Sequence, residues 1–172
     1  MDIKNMDYDE KYDLAKNPNT PEDVLRELAK DEDDGVKGQL AMNPSTPEDA
    51  LRDLAKDESW GVRRQVAENP STPLDILRDL VTDDDWNVRY WVAKNPSTPD
   101  DILRNLTKDD YWEVRESVAW NPKASSTLLV ALFEYEKSLR KPSKYVIKAL
   151  YANENLPTFA KRVIETLFGE MI

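Results

Sequence analysis

An Asn-Pro dipeptide returns every 26 residues along most of this chain. The text after it returns as well, because NPSTPEDALRDLAKDESWGVRRQVAE is followed by NPSTPLDILRDLVTDDDWNVRYWVAK and then by NPSTPDDILRNLTKDDYWEVRESVAW. Such a period is typical of repeat proteins, in which each unit buries its apolar face only against its neighbours. The chain is therefore expected to fold as an array of stacked units. The asparagines of the dipeptide are Asn17, Asn43, Asn69, Asn95 and Asn121.

The first half of each repeat predicts a helix that starts after the Asn-Pro turn. In the second repeat, Thr46 is expected to be the N-cap, with Pro47 at the first helical position and Asp49 three residues past the cap. Leu51 and Leu54 follow at a helical spacing, so they are expected to be buried. The other full repeats have the same order of residue types and the same prediction.

The second half of each repeat predicts another helix, which starts after an acidic break. Asp57 and Ser59 are the candidate caps in the second repeat, and Trp60, Val62 and Val66 are expected to face the first helix. This helix is expected to be short, and the sequence leaves open whether it is α or partly 3₁₀. The repeated tryptophan predicts core or inter-repeat packing rather than ligand stacking. It recurs as Trp86 and Trp112.

Two helices per repeat predict an all-α solenoid, formed as a single domain over residues 1–172. Residues 1–16 match only a second helix and are predicted as the N-terminal cap, whereas the next asparagine after Asn121 comes 32 residues later and marks an irregular, longer repeat. The full repeats are 17–42, 43–68, 69–94 and 95–120, and the irregular repeat is 121–152. The C-terminal capping helix is predicted within 153–172, closing the array with Phe159, Val163, Ile164 and Leu167.

The repeated string resembles the leucine-rich repeat variant, a family of bacteria and archaea. The residues that carry the resemblance are Asn-Pro-x-Thr-Pro-x-x-x-Leu-x-x-Leu, followed by Asp-x-x-Trp-x-Val-Arg-x-x-Val-Ala, closely over residues 17–120 and loosely elsewhere. The resemblance implies a right-handed superhelix of alternating helices, similar to HEAT arrays. Some members carry a cysteine-bound iron–sulfur segment, but this chain has no cysteine, so no cofactor and no redox role is implied.

The composition narrows the chemistry further. Without cysteine or histidine, the chain lacks thiolate nucleophiles, Cys/His zinc sites and any Ser-His-Asp triad. The 34 acidic residues leave a carboxylate-based hydrolase as a less favoured alternative, since the caps and breaks of the repeat already explain them. No EF-hand spacing and no long apolar run is present, so the prediction is a cytoplasmic protein with no bound metal, no catalytic residue and no membrane span.

Residues that recur in every copy are expected to stabilise the repeat rather than to bind a ligand. The repeated asparagines are predicted to satisfy turn backbone between copies rather than to form a binding stripe. Each basic residue of the second helices is predicted to pair with the carboxylate six residues earlier, as Arg63 with Asp57. The arginines of the first helices are predicted to pair with the acid three residues earlier. These two basic sets are Lys37, Arg63, Arg89 and Arg115, and Arg26, Arg52, Arg78 and Arg104.

Residues that break the pattern are the candidates for binding. Trp91 stands where other copies have glutamine or serine, and Trp120 stands at the position of Lys94. The two tryptophans are expected to lie near each other on neighbouring second helices, as anchors for a protein partner. The alternative is that segment 122–145 folds back and covers them. The candidate partner-binding residues are Tyr90, Trp91, Lys94, Trp120 and Arg64, the last at the Tyr90 position of another repeat.

Charge is unevenly distributed along the chain. Residues 1–60 hold 17 acidic and 8 basic residues, whereas 121–172 hold 5 and 8. The resulting hypothesis is a non-enzymatic protein–protein interaction module, with an aromatic anchor and an acidic N-terminal half that attracts a partner with a basic patch. The alternative is an acidic mimic of nucleic acid, or a regulator of a nucleic-acid-binding protein. Direct nucleic-acid binding is not expected, because phosphates would be repelled over most of the surface.

Overall fold

The computed structural model describes residues 3–172, so Met1 and Asp2 of the predicted N-terminal cap lie outside the described residues. Twelve α-helices and three short 3₁₀ helices form the structure, and residues 3–172 contain no strand. The all-α class is confirmed. The α-helices are α1 Tyr8–Lys16, α2 Glu22–Leu28, α3 Asp34–Met42, α4 Glu48–Leu54, α5 Trp60–Glu68, α6 Leu74–Leu80, α7 Trp86–Lys94, α8 Asp100–Leu103, α9 Trp112–Trp120, α10 Ser126–Ser138, α11 Lys144–Ala152 and α12 Thr158–Phe168.

The helices divide into two compact units, residues 1–88 and 89–172, and the boundary falls within α7. In the first unit, α3 packs between α1 and α5, so the second helices of consecutive repeats lie side by side. In the second unit, α11 packs on α9 in the same way. This packing of equivalent helices is that of a solenoid. The single domain over 1–172 and the handedness of the superhelix stay predictions.

The second helices are short, as expected, and they are α-helices rather than 3₁₀ helices. The second helices α3, α5, α7 and α9 are α-helices of 9 residues, whereas the first helices α2, α4 and α6 have 7. A 3₁₀ segment does occur, but in the first helix of the fourth repeat, at Arg104–Lys108 after α8. The second helices are longer because they run without interruption to the asparagine of the next Asn-Pro, which cannot continue a helix.

The predicted threonine N-cap is also wrong. Helix α4 begins at Glu48 with Pro47 at the cap position and no side-chain cap bond. Thr46 is buried and donates its hydroxyl to the carbonyl of Leu40, at 2.6 Å. Thr20, Thr72 and Thr98 make the equivalent bond in the other full repeats, so each threonine connects its turn to the end of the preceding helix by a hydrogen bond. Of the candidate caps for α5, Ser59 holds the cap position without a side-chain bond, and Asp57 accepts from the Ser59 amide.

The core consists of the predicted aliphatic stripes, but the repeated tryptophan is not part of it. Leu51, Leu54, Val62 and Val66 are buried as expected. Trp60, however, is 47% exposed. Trp60 is the first residue of α5 and lies two residues before the buried Val62, so it is not on the buried face of the helix. In the second unit Trp112 packs between repeats as predicted, because its ring stacks on Tyr145 with centroids 4.5 Å apart.

The C-terminal helix closes the second unit differently from the prediction. Ile164 is buried with Ala160, but Phe159 is 62% and Leu167 is 55% exposed, and Val163 is only partly covered. A helix that packs on one neighbour buries only one stripe, and in α12 that stripe follows Ala160 and Ile164. Of the four residues expected to close the array, Ile164 is therefore the buried one.

Candidate functional site

The predicted binding residues of the second unit lie on α7 and α9. Tyr90 and Lys94 are four residues apart on α7 and so share a face, and Trp120 is the last residue of α9. Asn121 ends that helix, because Pro122 follows it. Together Tyr90, Lys94 and Trp120 line an open cavity of about 290 Å³. Its other lining residues are Glu116, Ser117 and Asn121.

Trp120 is the most exposed aromatic residue of this cavity. Its side chain is 55% exposed, so segment 122–145 does not cover it. A tryptophan with half its surface in water carries a large apolar area that a partner can bury. The cavity thus combines an exposed indole with a lysine, a carboxylate from Glu116 and the hydroxyl of Ser117.

Trp91 has a different environment from Trp120. It is half-buried, and its ring meets the Tyr90 ring edge-on with centroids 5.6 Å apart. The ammonium of Lys94 lies 4.5 Å from the centroid of the Trp91 ring and 5.5 Å from that of Tyr90. Tyr90, rather than Trp91, joins Trp120 at the cavity, because positions 90 and 94 share a helix face. Trp91 therefore packs against two residues of the cavity, Tyr90 and Lys94.

Sequence reasoning missed Glu116 and Ser117 as cavity residues. The signal was available, since both lie within one turn of Trp120 on the helix that carries it. Arg64 belongs to the first unit, where its guanidinium lies 3.2 Å from the carboxylate of Glu68, four residues later on α5.

The basic residues of the second helices pair with the next repeat. Arg63 forms a two-pronged bond with Asp83, at 2.7 and 3.0 Å, and donates to the backbone carbonyl of Asp57. The hydrogen bond to Asp83 raises the pKa of Arg63. The predicted pairing with the Asp57 carboxylate is therefore wrong, because the side chain reaches forward across the stack. The equivalent pairs are Lys37–Asp57, Arg89–Asp109 and Arg115–Glu136.

Two arginines of the first helices, Arg26 and Arg52, also pair with the next repeat. Arg26 bonds to Asp49 at 2.8 Å and Arg52 to Asp75 at 2.6 Å, rather than to the acid three residues earlier. The hydrogen bond from Arg26 lowers the pKa of Asp49, and that from Arg52 lowers the pKa of Asp75. A general acid needs the opposite shift, toward neutral pH. These carboxylates therefore act as ion-pair partners between repeats.

The repeated asparagines have the predicted structural role. Asn43 is buried, and its amide nitrogen donates to the carbonyls of Ala15 and Asn17, at 2.7 and 3.0 Å. Its amide oxygen accepts from the Ser45 backbone at 2.9 Å. In the same way, Asn69 donates to the carbonyl of Ala41, and Asn121 donates to the carbonyls of Ala93 and Asn95. The side chains thus join the turns of consecutive repeats from within.

Residues 3–172 hold no group of three or more His, Cys, Asp or Glu side chains arranged to bind a metal ion. None of the helices formed by these residues combines the length and the apolar character that crossing a bilayer requires.

Comparison with known proteins supports the repeat interpretation. The family model of the leucine rich repeat variant matches residues 60–85, which confirms the resemblance seen in the repeated string. The crystal structure of an engineered protein from the Northeast Structural Genomics Consortium is similar with a TM-score of 0.50 and 19% sequence identity, over 95% of this chain and 94% of that one. At this identity the likeness shows the fold alone. No curated protein matches the chain.

Proposed function

We propose that this protein is a non-enzymatic protein–protein interaction module of the cytoplasm. Its fold and its similarity to the leucine rich repeat variant fit a non-enzymatic repeat module. The proposed contact surface is the cavity lined by Tyr90, Lys94 and Trp120, called the aromatic cavity below. The partner is a protein that inserts an apolar side chain against Trp120.

The exposure of Trp120 carries this proposal. The repeat has methionine, glutamate or lysine at this position in its other copies, so the fold does not require an indole there. Large aromatic residues at the centre of an interface contribute much of its binding energy when a partner excludes water from them. Lys94 and Glu116 at the rim supply one charge of each sign for orienting that partner.

Charge supports the choice of partner. Residues 1–88 hold 23 acidic and 11 basic residues, whereas residues 89–172 hold 11 and 13. An acidic surface raises the association rate of a partner with a basic patch, and salt screens this effect. The same excess supports the second candidate function, an acidic mimic that occupies a nucleic-acid-binding protein.

The test is capture from nuclease-treated lysate with wild type, Trp120→Ala and Trp60→Ala, followed by calorimetry on the captured protein. Trp60 is the matched control, because it is also an exposed tryptophan but lies outside the aromatic cavity. We expect Trp120→Ala to weaken binding by roughly thirtyfold or more, as loss of an interface hot spot does, and Trp60→Ala to leave it unchanged.

Circular dichroism on each variant shows whether the helices are intact. A partner that binds wild type and Trp120→Ala equally well would contradict the assigned surface. A partner that DNA displaces, and that binds equally well after Trp120→Ala, would favour the mimic instead. The absence of any specific partner would remove the interaction proposal.

A further inference from the structure

A run of basic residues surrounds the turn between α10 and α11. Residues 137–148 hold five basic residues and no acidic residue, although the net charge of the chain is -10. Lys137 pairs with Glu134, whereas the other four side chains are exposed, and no carboxylate among residues 3–172 pairs with them. These four residues, called the α11 basic surface below, are Arg140, Lys141, Lys144 and Lys148.

Lys141 stands where every full repeat has an aspartate. Counted back from the asparagine that follows each second helix, the equivalent residues are Asp31, Asp57, Asp83 and Asp109. Each of these aspartates forms an ion pair with a basic residue of the second helix before it, as Asp83 does with Arg63 at 2.7 Å. A lysine cannot form this pair, so the charge of Lys141 has no counterpart in the repeat.

Glu136 forms the inter-repeat ion pair in place of a break residue. It is completely buried near the end of α10, where it bonds to the Arg115 guanidinium at 2.6 Å and accepts from the Ser143 amide at 2.8 Å. The carboxylate that the array requires therefore comes from α10 in the irregular repeat. Arg140 and Lys141 follow it and are exposed, so the stacking of the helices does not explain their charge.

The start of α11 carries further positive charge that the fold does not favour. Lys144 is the first residue of α11, whose first turn contains no acidic residue. A helix N-terminus carries partial positive charge, so a lysine there is unfavourable unless an anion lies nearby. Lys148 follows one turn later on the same face. Both lysines are thus available for an anionic partner.

Tyr145 adds an exposed aromatic ring to this surface. It is 46% exposed, and its ring is held by stacking on the Trp112 ring, with centroids 4.5 Å apart. The ammonium of Lys144 lies 5.0 Å from the centroid of the Tyr145 ring. The surface therefore combines positive charge with an apolar contact area.

We propose that the α11 basic surface binds a short acidic segment of a protein partner. Charge complementarity selects an anionic partner, and carboxylates are the groups with which this chain already pairs its basic residues, as in Lys37–Asp57. Lys144 and Lys148 lie about 6 Å apart along the axis of α11, a distance that two residues of an extended peptide span. An apolar side chain of the same segment covers Tyr145.

The short extent of the surface favours an acidic peptide over nucleic acid. A nucleic acid carries negative charge along its whole length, so its charge continues beyond these four basic side chains. The acidic excess elsewhere, 23 acidic against 11 basic residues in 1–88, repels that continuation. A short acidic segment brings its carboxylates to the basic surface alone. The inference is independent of the aromatic cavity, because none of the residues that line the cavity belongs to the α11 basic surface.

The test is fluorescence anisotropy of a fluorescein-labelled peptide, Gly-Asp-Glu-Leu-Asp-Glu-Gly, titrated with the full chain at physiological ionic strength. Its matched peptide has Asn and Gln in place of Asp and Glu. We expect wild type to bind the acidic peptide more tightly than the matched peptide. The variant Arg140→Glu/Lys141→Glu/Lys144→Glu should weaken binding of the acidic peptide at least about tenfold, because attractive pairs become repulsive ones.

The control variant is Lys30→Glu/Lys56→Glu/Arg162→Glu. It changes the net charge equally, at three exposed residues outside α11 that also have no ion pair among residues 3–172. At physiological ionic strength charges more than about 8 Å away are screened, so the control should weaken binding less than about threefold. Circular dichroism shows whether each variant keeps its helices. Lys148→Glu, a single change at an exposed residue, is the second variant and should weaken binding at least about twofold.

Four outcomes overturn the proposal. The first is wild type that binds the acidic peptide no more tightly than the matched peptide, and the second is an equal loss in the α11 variant and its control. The third is a labelled oligouridylate of the same charge that binds wild type more tightly than the peptide and loses affinity in the α11 variant, which assigns the surface to nucleic acid. The fourth is self-association of wild type that the α11 variant abolishes, which assigns the surface to the acidic residues of a second copy.

Discussion

Replacing Asn43 with alanine should destabilise the fold far more than the same change at Asn17. Asn43 is 2% exposed and makes three hydrogen bonds, two of them to the backbone carbonyls of Ala15 and Asn17. Alanine leaves the buried carbonyl of Ala15 without this partner, which costs about 2 kcal/mol, and the remaining two bonds contribute about 1 kcal/mol together. The expected loss of unfolding free energy is therefore about 3 kcal/mol.

Asn17 is the control that the chain itself provides. It holds the same position in the repeat, but its side chain is exposed and its oxygen accepts a local bond from the backbone of Asn19. Asn17→Ala should therefore cost less than about 1 kcal/mol, the value of one exposed hydrogen bond. Both variants keep the Asn-Pro spacing, so they differ chiefly in the loss of the bonds to the carbonyls of Ala15 and Asn17.

Urea unfolding, followed by circular dichroism and tryptophan fluorescence, measures both losses from the midpoint and the slope. Asn43→Ala should lower the midpoint with little change in slope. Equal losses in the two variants, to within about 0.5 kcal/mol, would refute the reasoning, because the bonds between repeats would then contribute nothing measurable.

Three further changes test other contacts, each by urea unfolding. Glu136→Gln should cost about 3 kcal/mol, because Glu136 and Arg115 form a buried ion pair at 2.6 Å and the guanidinium would lose its counter-charge. Thr72→Val should cost about 1.5 kcal/mol, because the buried Thr72 hydroxyl donates to the Val66 carbonyl at the end of the preceding helix and valine cannot make this bond. Asp49→Asn should flatten the acid limb of stability. The bond from Arg26 holds the pKa of Asp49 below its usual range, so the contribution of Asp49 is present above about pH 4 and is lost as pH falls toward the folded pKa.

The sequence predicted the helices and the asparagine role because those features repeat. An aliphatic residue at helical spacing, or an Asn-Pro before each helix, reports on a local requirement that every copy shares. The threonine was misassigned because the N-cap preference describes an isolated helix. In the folded array Thr46 lies against the end of the previous helix, and its hydroxyl finds the Leu40 carbonyl there.

The partners of the charged residues could not be predicted from spacing along one helix. Arg63 could pair with Asp57, six residues earlier in its own repeat, or with Asp83, 20 residues later in the next repeat. The sequence does not indicate which of the two carboxylates is the partner. The stacking of the repeats determines the partner, since it brings the Asp83 carboxylate to within 3.0 Å of the Arg63 guanidinium. The same reasoning applies to Trp120, whose exposure depends on where segment 122–145 runs.

The choice of the aromatic cavity as the contact surface follows from one property of repeat proteins. A residue that recurs in every copy has a structural role in the repeat, such as the hydrogen bonds that Asn43 and Arg63 make to neighbouring repeats. A residue that departs from the repeat, and that the fold leaves exposed, has no such explanation. Trp120 in the aromatic cavity meets both conditions. Trp91 departs from the repeat but is half-buried against Tyr90 and Lys94, so packing within the second unit already accounts for it.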